Sequence, residues 1–375
     1  MKKFIIRFLL FLIPFYFVGI LILGVYHAGY ETGEFCDFDE LIQEQRKNHS
    51  VFIGMGYNEN TAYYKYTNVN YYQPEIIALG TSRVMQFHDT YFCTGFYNCG
   101  GAVGWNYDEY LNFMKNLKYT PKVVIIGLDQ WVFNPAWSQY CLEYSDYQPI
   151  EMLNRNKMSM EGKMIKDFIA GKWNFDNIDS YSINYGFNGR VRDRGFQWDG
   201  SYYYGDVYRS PEDNKDYMFA DTFARIDGGY GKFEWGEHID KQTCEYLIAL
   251  LEYCYEEGIE VVGFTPPFAP SVNDRMAASS NYGYLSEISP RCREIFGEYG
   301  YEYFDYTDVR ELGLDDACFI DGFHGGEVVY ACLVRNMTTQ GSCLQKYVDV
   351  KILDSLLDHP YNHLMLYDFI HRGEV

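Results

Sequence analysis

Residues 122–128 carry Val123, Val124, Ile125 and Ile126 in succession, with no polar residue at alternate positions. A strand apolar on both faces has to be covered on both, which predicts a buried strand of a parallel sheet. The flanking pattern agrees. Short apolar runs at 75–79, 95–98, 260–264 and 301–306 alternate with helix-period segments around 110–117, 240–257, 286–299 and 327–337, and a last amphipathic stretch lies at 350–357. Strands alternating with helices imply right-handed crossovers and a doubly wound three-layer α/β/α sandwich. One interruption breaks the rhythm. Residues 131–237 are rich in Tyr, Asp, Gly and Asn, with a single expected helix over 152–170, and read as an insertion or cap.

The amino end sets a second constraint. Residues 8–26 are an almost unbroken apolar run behind Lys2, Lys3 and Arg7, long enough to cross a hydrocarbon core. Basic residues before the run and acidic ones after it (Glu31, Glu34, Asp37, Asp39, Glu40) favour an amino end inside and the remainder outside. The alternative is a cleaved signal peptide, but the run is longer than a usual signal core and no small-x-small site follows it. The chain therefore divides into a membrane anchor, 1–28, and an extracellular domain, 29–375. A net charge of -21 argues against nucleic acid as a partner, because phosphates attract Lys and Arg. The ten cysteines form no CxxC pair or Cys/His cluster at zinc spacing and no disulfide framework, so no metal site is expected.

Two short motifs carry chemistry. Gly80-Thr81-Ser82 follows the strand at 75–79, where α/β folds place reactive groups, and Asp321-Gly322-Phe323-His324 follows the strand at 301–306. Asp and His three residues apart can share one turn and approach a serine together. Each residue also has a plainer reading: Ser82 as a helix N-cap, His324 as a structural histidine, and Arg83 as half of a surface ion pair. His88-Asp89 is a rival pair close after Ser82. The Tyr-rich stretch 199–205 either lines a saccharide cleft or packs on the sheet.

In order and strand context these motifs resemble the SGNH (GDSL-type) hydrolases, and within them the membrane-anchored acyl-transfer branch. Gly80-Thr81-Ser82 stands for the Gly-Asp-Ser block, Asn98-Cys99-Gly100 resembles the second block, Gly127-Leu128-Asp129-Gln130 the third, and Asp321-x-x-His324 the last. The resemblance implies a flavodoxin-like fold, Ser82 as nucleophile, His324 as general base, and Asp321 orienting the imidazole. Backbone amides of Ser82 and Gly100 would form the oxyanion hole. Position 129 departs from the pattern: the family's third donor is Asn, whereas an ionised Asp only accepts. Either Asp129 is protonated by burial, or it orients a neighbour, or Asn98, Asn106 or Gln130 supplies the missing donor; apart from the resemblance, Arg83 reads either as binding an anionic group near the nucleophile or as half of a surface ion pair.

The function implied is transfer of an acyl group, with acetyl expected, onto a cell-surface polysaccharide, beside a membrane-bound O-acyltransferase and without a cofactor. The alternatives are an esterase using the same residues, a degenerate glycan-binding or scaffold protein, and D-alanyl transfer onto teichoic acid.

Overall fold

A computed structural model describes residues 1–138, 147–150, 152–179 and 182–367. They form two compact units. One comprises Met1–Asn60, Gln148–Trp198 and Tyr203–Gly205, and the other Thr61–Tyr147, Asp199–Tyr202 and Asp206–Val375.

The first unit begins with the helix Lys2–Glu31, whose residues 3–31 are long and apolar enough to cross a membrane by length and composition. Its exposed large apolar side chains run from Phe4 to Leu23. The helix outlasts the expected span because its last turns join a protein core. Val25 and Ala28 are buried with Phe35, Met160, Met164, Trp173 and Phe187, and the helix Asn154–Ile169 supplies the two methionines. Just past this helix, the fully buried Glu34 carboxylate accepts backbone N–H groups from Gly56 (2.6 Å), Tyr57 (3.2 Å), Asn58 (3.0 Å) and Phe187 (2.6 Å). Burial pushes the Glu34 carboxyl up and those four donors pull it back.

The second unit is built on five parallel strands: β1 (Ile76–Leu79), β2 (Phe96–Asn98), β3 (Val123–Gly127), β4 (Glu260–Thr265) and β5 (Glu302–Asp305), in the spatial order β2-β1-β3-β4-β5. Every residue of β1 and β3 is buried, so both faces are covered, as the sequence requires. Each Val or Ile so placed contributes about 1.5–3 kcal/mol by leaving water. Helices Tyr107–Asn116 and Lys241–Glu256 pack on one another and start at side-chain caps: Asn106 accepts from the Glu109 N–H (3.0 Å), and Asp240 from that of Thr243 (2.7 Å). In a parallel sheet all carboxyl ends share one edge. The segments following β1, β3 and β4 therefore gather there.

Helices Phe38–Lys47, Thr61–Tyr72, Ala220–Gly228 and Pro270–Ala277 were not expected. Thr61–Tyr72 hides its helical period because Lys65 and Asn68 sit among its buried residues. Nor is 131–237 a single insertion. Gln148–Trp198 belongs with the first sixty residues, whereas Trp131 and 206–237 belong with the sheet.

Candidate active site

After β1 the chain turns through Gly80 and Thr81 into a short 3-10 turn, Ser82–Val84. Thr81 caps it, its Oγ1 accepting from the Arg83 N–H at 3.2 Å. The turn lies against the strand ends through Val84. A Cβ added at Gly80, Gly100 or Gly127 would come within 2.7, 2.8 and 2.4 Å of a Val84 methyl, so all three positions have to stay glycine for the turn to seat.

The structure brings Ser82, His324 and Asp321 together. Ser82 Oγ lies 2.8 Å from His324 Nε2, and His324 Nδ1 lies 2.8 Å from Asp321 Oδ2. Asp321 Oδ1 accepts the N–H groups of Phe323 (3.0 Å) and His324 (2.8 Å), closing the turn on itself. Burial alone would push the Asp321 carboxyl up, but the His324 ring and these two donors outweigh it and hold it below the usual range. A carboxylate at Nδ1 selects the tautomer whose Nε2 accepts the serine proton.

Other residues hold the His324 loop, and sequence reasoning missed them. Asp216 accepts the Gly322 N–H at 3.0 Å, Asn214 Nδ2 donates to the Ile320 carbonyl at 2.8 Å, and the Ala269 N–H reaches the Gly322 carbonyl at 3.1 Å. Asn214 and Asp216 sit in the irregular stretch before helix Ala220–Gly228, where no spacing marks them.

Arg83 differs from both sequence readings, since its side chain is fully buried. All five guanidinium donors are used: Nε on the Phe323 carbonyl (2.9 Å), Nη1 on Asp129 Oδ1 (3.1 Å) and Gln130 Oε1 (2.5 Å), and Nη2 on the carbonyls of Pro266 (2.8 Å) and Pro267 (2.6 Å). Phe268 and Trp131 lie 4.4 and 5.2 Å from it. Arg83 thus ties the serine turn to the segments after β3 and β4 and to the residue before His324. No donor is left for a substrate.

The expected oxyanion and substrate groups fare similarly. Asp129 accepts from Thr81 Oγ1 (2.6 Å) and Arg83, which makes it the buried counter-charge of Arg83 and not an oxyanion donor. The Gly100 N–H is turned onto Asn98 Oδ1 at 2.8 Å, and Asn98 Nδ2 holds the carbonyls of Val84 (2.8 Å) and Phe87 (2.9 Å). Asn106 caps its helix, and Gln130 Nε2 donates to the Pro266 carbonyl (2.8 Å). Among the described residues, the expected oxyanion donors with no acceptor of their own are the Ser82 N–H and Asn106 Nδ2, since Asn106 caps its helix through Oδ1 alone. The His88 ring lies between Asp199 (3.9 Å) and Glu327 (3.8 Å). Residues 199–202 run beside β2, the Asn98 N–H donating to the Asp199 carbonyl at 2.7 Å, which is the packed reading of that stretch. No group of His, Cys, Asp and Glu suited to a metal occurs among the described residues.

Comparison with protein-family models, curated proteins and solved structures found no match to this chain.

Proposed function

We propose that the chain is a serine-dependent acyltransferase that moves an acyl group, acetyl foremost, onto a hydroxyl of a cell-surface polysaccharide through an acyl-Ser82 intermediate. The observation that carries this reading is the continuous relay Ser82 Oγ, His324 Nε2, His324 Nδ1, Asp321 Oδ2, with 2.8 Å at both contacts. Its position supports it too. The strand order β2-β1-β3-β4-β5 agrees with the flavodoxin-like doubly wound order that the SGNH resemblance implies, in which ligands bind at the carboxyl edge where winding reverses, next to β1.

In the first half-reaction His324 takes the Ser82 proton as Oγ bonds to the acyl carbonyl carbon, and Asp321 stabilises the imidazolium. The tetrahedral oxyanion meets the Ser82 N–H, and one such donor is worth roughly 10²–10³ in rate. Collapse expels the leaving group, which takes the proton from His324. In the second half the acceptor hydroxyl gives its proton to His324 and attacks the acyl carbon, and the displaced Ser82 Oγ takes that proton back from the imidazolium. The Arg83 partnership keeps the Asp129 charge from opposing the oxyanion. The apolar amino-terminal helix would hold the domain at the outer membrane surface, where a membrane-bound O-acyltransferase would supply the acyl group. Water in place of the sugar hydroxyl would make the same site an esterase.

The test is intact mass after incubation with an activated acetyl ester. One acetyl adduct mapped to Ser82 is expected, absent from Ser82→Ala. In Asp321→Asn, which leaves the wrong tautomer, its formation should slow by about 10³–10⁴. A folded protein with no adduct and no ester turnover would overturn the reading.

A further inference from the structure

Lys232 stands apart from the other cations around the site. Its Nζ lies 4.6 Å from the Trp131 ring centre and 6.0 Å from that of Phe323, whose ring is 4.3 Å from the His324 imidazole. Among the described residues no carboxylate pairs with this ammonium and no acceptor takes its protons. Burial pushes it down, while Asp129 and Asp321 hold it up from a distance. In a chain of net charge -21, a half-buried lysine without a counter-ion is uncommon, and burial without pairing is costly.

The backbone supplies an independent observation. Lys232 has φ 77°, following Gly231 at φ 64° and Gly229 at φ 65°. The two glycines adopt this left-handed region freely, but a lysine does so under strain, and strain held in place clusters at functional sites. A glycine at 232 would relieve it, so the side chain has a use there. The loop is anchored next door: Glu234 accepts the Lys232 N–H (3.3 Å) and Trp137 Nε1 (2.6 Å), and Trp137 stacks at 5.4 Å on Trp105, an exposed ring. A ring platform suited to a sugar face is therefore linked through Glu234 to the segment whose Lys232 lies over the Trp131 and Phe323 rings, Phe323 being next to His324. Arg225, paired with Asp221, adds positive potential over the same Phe323 ring at 5.9 Å.

We propose that Lys232 is an anion-binding subsite for a carboxylate or phosphate group carried by the glycan acceptor, with the Trp105–Trp137 pair stacking on a neighbouring sugar ring. This rests on the reading of Ser82 as the nucleophile and adds the acceptor's class: the polysaccharide is anionic.

The test is equilibrium binding to full-length Ser82→Ala in detergent at physiological ionic strength. Screening beyond about 8 Å there suppresses the overall negative field while leaving a half-buried contact. The probes are tetragalacturonate, an oligomeric glycerol phosphate and neutral cellotetraose. At least one anionic probe should bind tenfold or more tightly than the neutral one. That preference should collapse in Ser82→Ala/Lys232→Met and persist in Ser82→Ala/Lys232→Arg, and the probe that gains identifies carboxylate or phosphate. No binding, equal binding of all three, or a preference that survives Lys232→Met overturns the subsite. Because Ser82→Ala needs no turnover, an anion preference without an acyl adduct in the parent would sink the catalytic reading and leave the subsite standing.

Discussion

The guanidinium of Arg83 and the carboxylate of Asp129 form an ion pair between two almost fully buried side chains, and that sets what substitution at either does. If position 129 acted in the oxyanion hole, Asp129→Asn would supply the amide donor of the SGNH pattern and raise activity. The observed contacts call for the opposite, because Asn would leave a buried guanidinium uncompensated, a loss of about 3–5 kcal/mol. Asp129→Asn should therefore lower the unfolding midpoint and slow acylation of Ser82. A stable, faster enzyme would refute the counter-charge role. Lys65 offers a pH test at the same scale. Burial pushes its ammonium down to about 7, with Cys99 and Asp199 opposing, and Nζ donates to the carbonyls of Asn98 (2.9 Å) and Gly200. Below pH 7 the group is charged in folded and unfolded chains alike, so the burial cost is felt in full. Between pH 7 and 10.5 the folded chain has released a proton that the unfolded chain still holds. Stability from this group therefore rises with pH across that window, by up to about 1.4 kcal/mol per unit. Replacing it, as Lys65→Met, should flatten the rise in unfolding free energy between pH 7 and 9.5, and an unchanged slope would rule the group out as its source.

Among the elements, the serine turn is placed by contacts between its Val84 methyls and Gly80 just before it and Gly100 and Gly127 on two neighbouring segments. Gly127→Ala should drive Val84 off the sheet, since its Cβ would sit 2.4 Å from Cγ1, and displace Ser82 from His324. A misplacement near 1 Å costs about 10²-fold in rate, so acylation should fall by that order, and the added Val84→Ala should restore part of it. Failure of the double variant to recover would mean that the turn is held by something other than this contact. The strands themselves were legible because β1 and β3 are apolar at every position, a pattern only a doubly covered parallel strand explains. The pairing of Asp321 with His324 was legible from spacing. What could not be read were interactions that leave no periodic trace. Asp216 and Asn214 meet the His324 loop across some hundred residues through backbone groups, which carry no identity in the sequence. The Gly100 N–H reads as free in the sequence because nothing in Asn98-Cys99-Gly100 says that the Asn98 side chain folds back onto it. Arg83 beside a nucleophile invited a role toward substrate; only the converging carbonyls of Pro266, Pro267 and Phe323 show that its donors are already satisfied.

At the scale of the whole molecule, the amino-terminal helix belongs to two environments. Its first two-thirds present apolar side chains outward, whereas Val25 and Ala28 are buried in the core of the unit formed with residues 148–198. The apolar run in the sequence is continuous through both parts, so hydropathy places an end near 26 or 28 and conceals the change of surroundings. The two parts respond differently to truncation. A chain beginning at residue 20 loses most of the exposed apolar stretch and keeps Val25 and Ala28 on Met160, Met164 and Trp173, so it should be soluble with this unit intact. A chain beginning at residue 29 removes both, and burying a valine alone is worth about 1.5–3 kcal/mol. It also begins one residue before Tyr30, leaving Phe35 and the segment that carries Glu34 without the turns of helix they follow. Hydrogen exchange should therefore show protection across Asn154–Ile169 in the longer chain and early loss of it in the shorter one. Equal protection in both would mean that the helix contributes nothing to this core beyond its length, and that the whole apolar run serves the membrane.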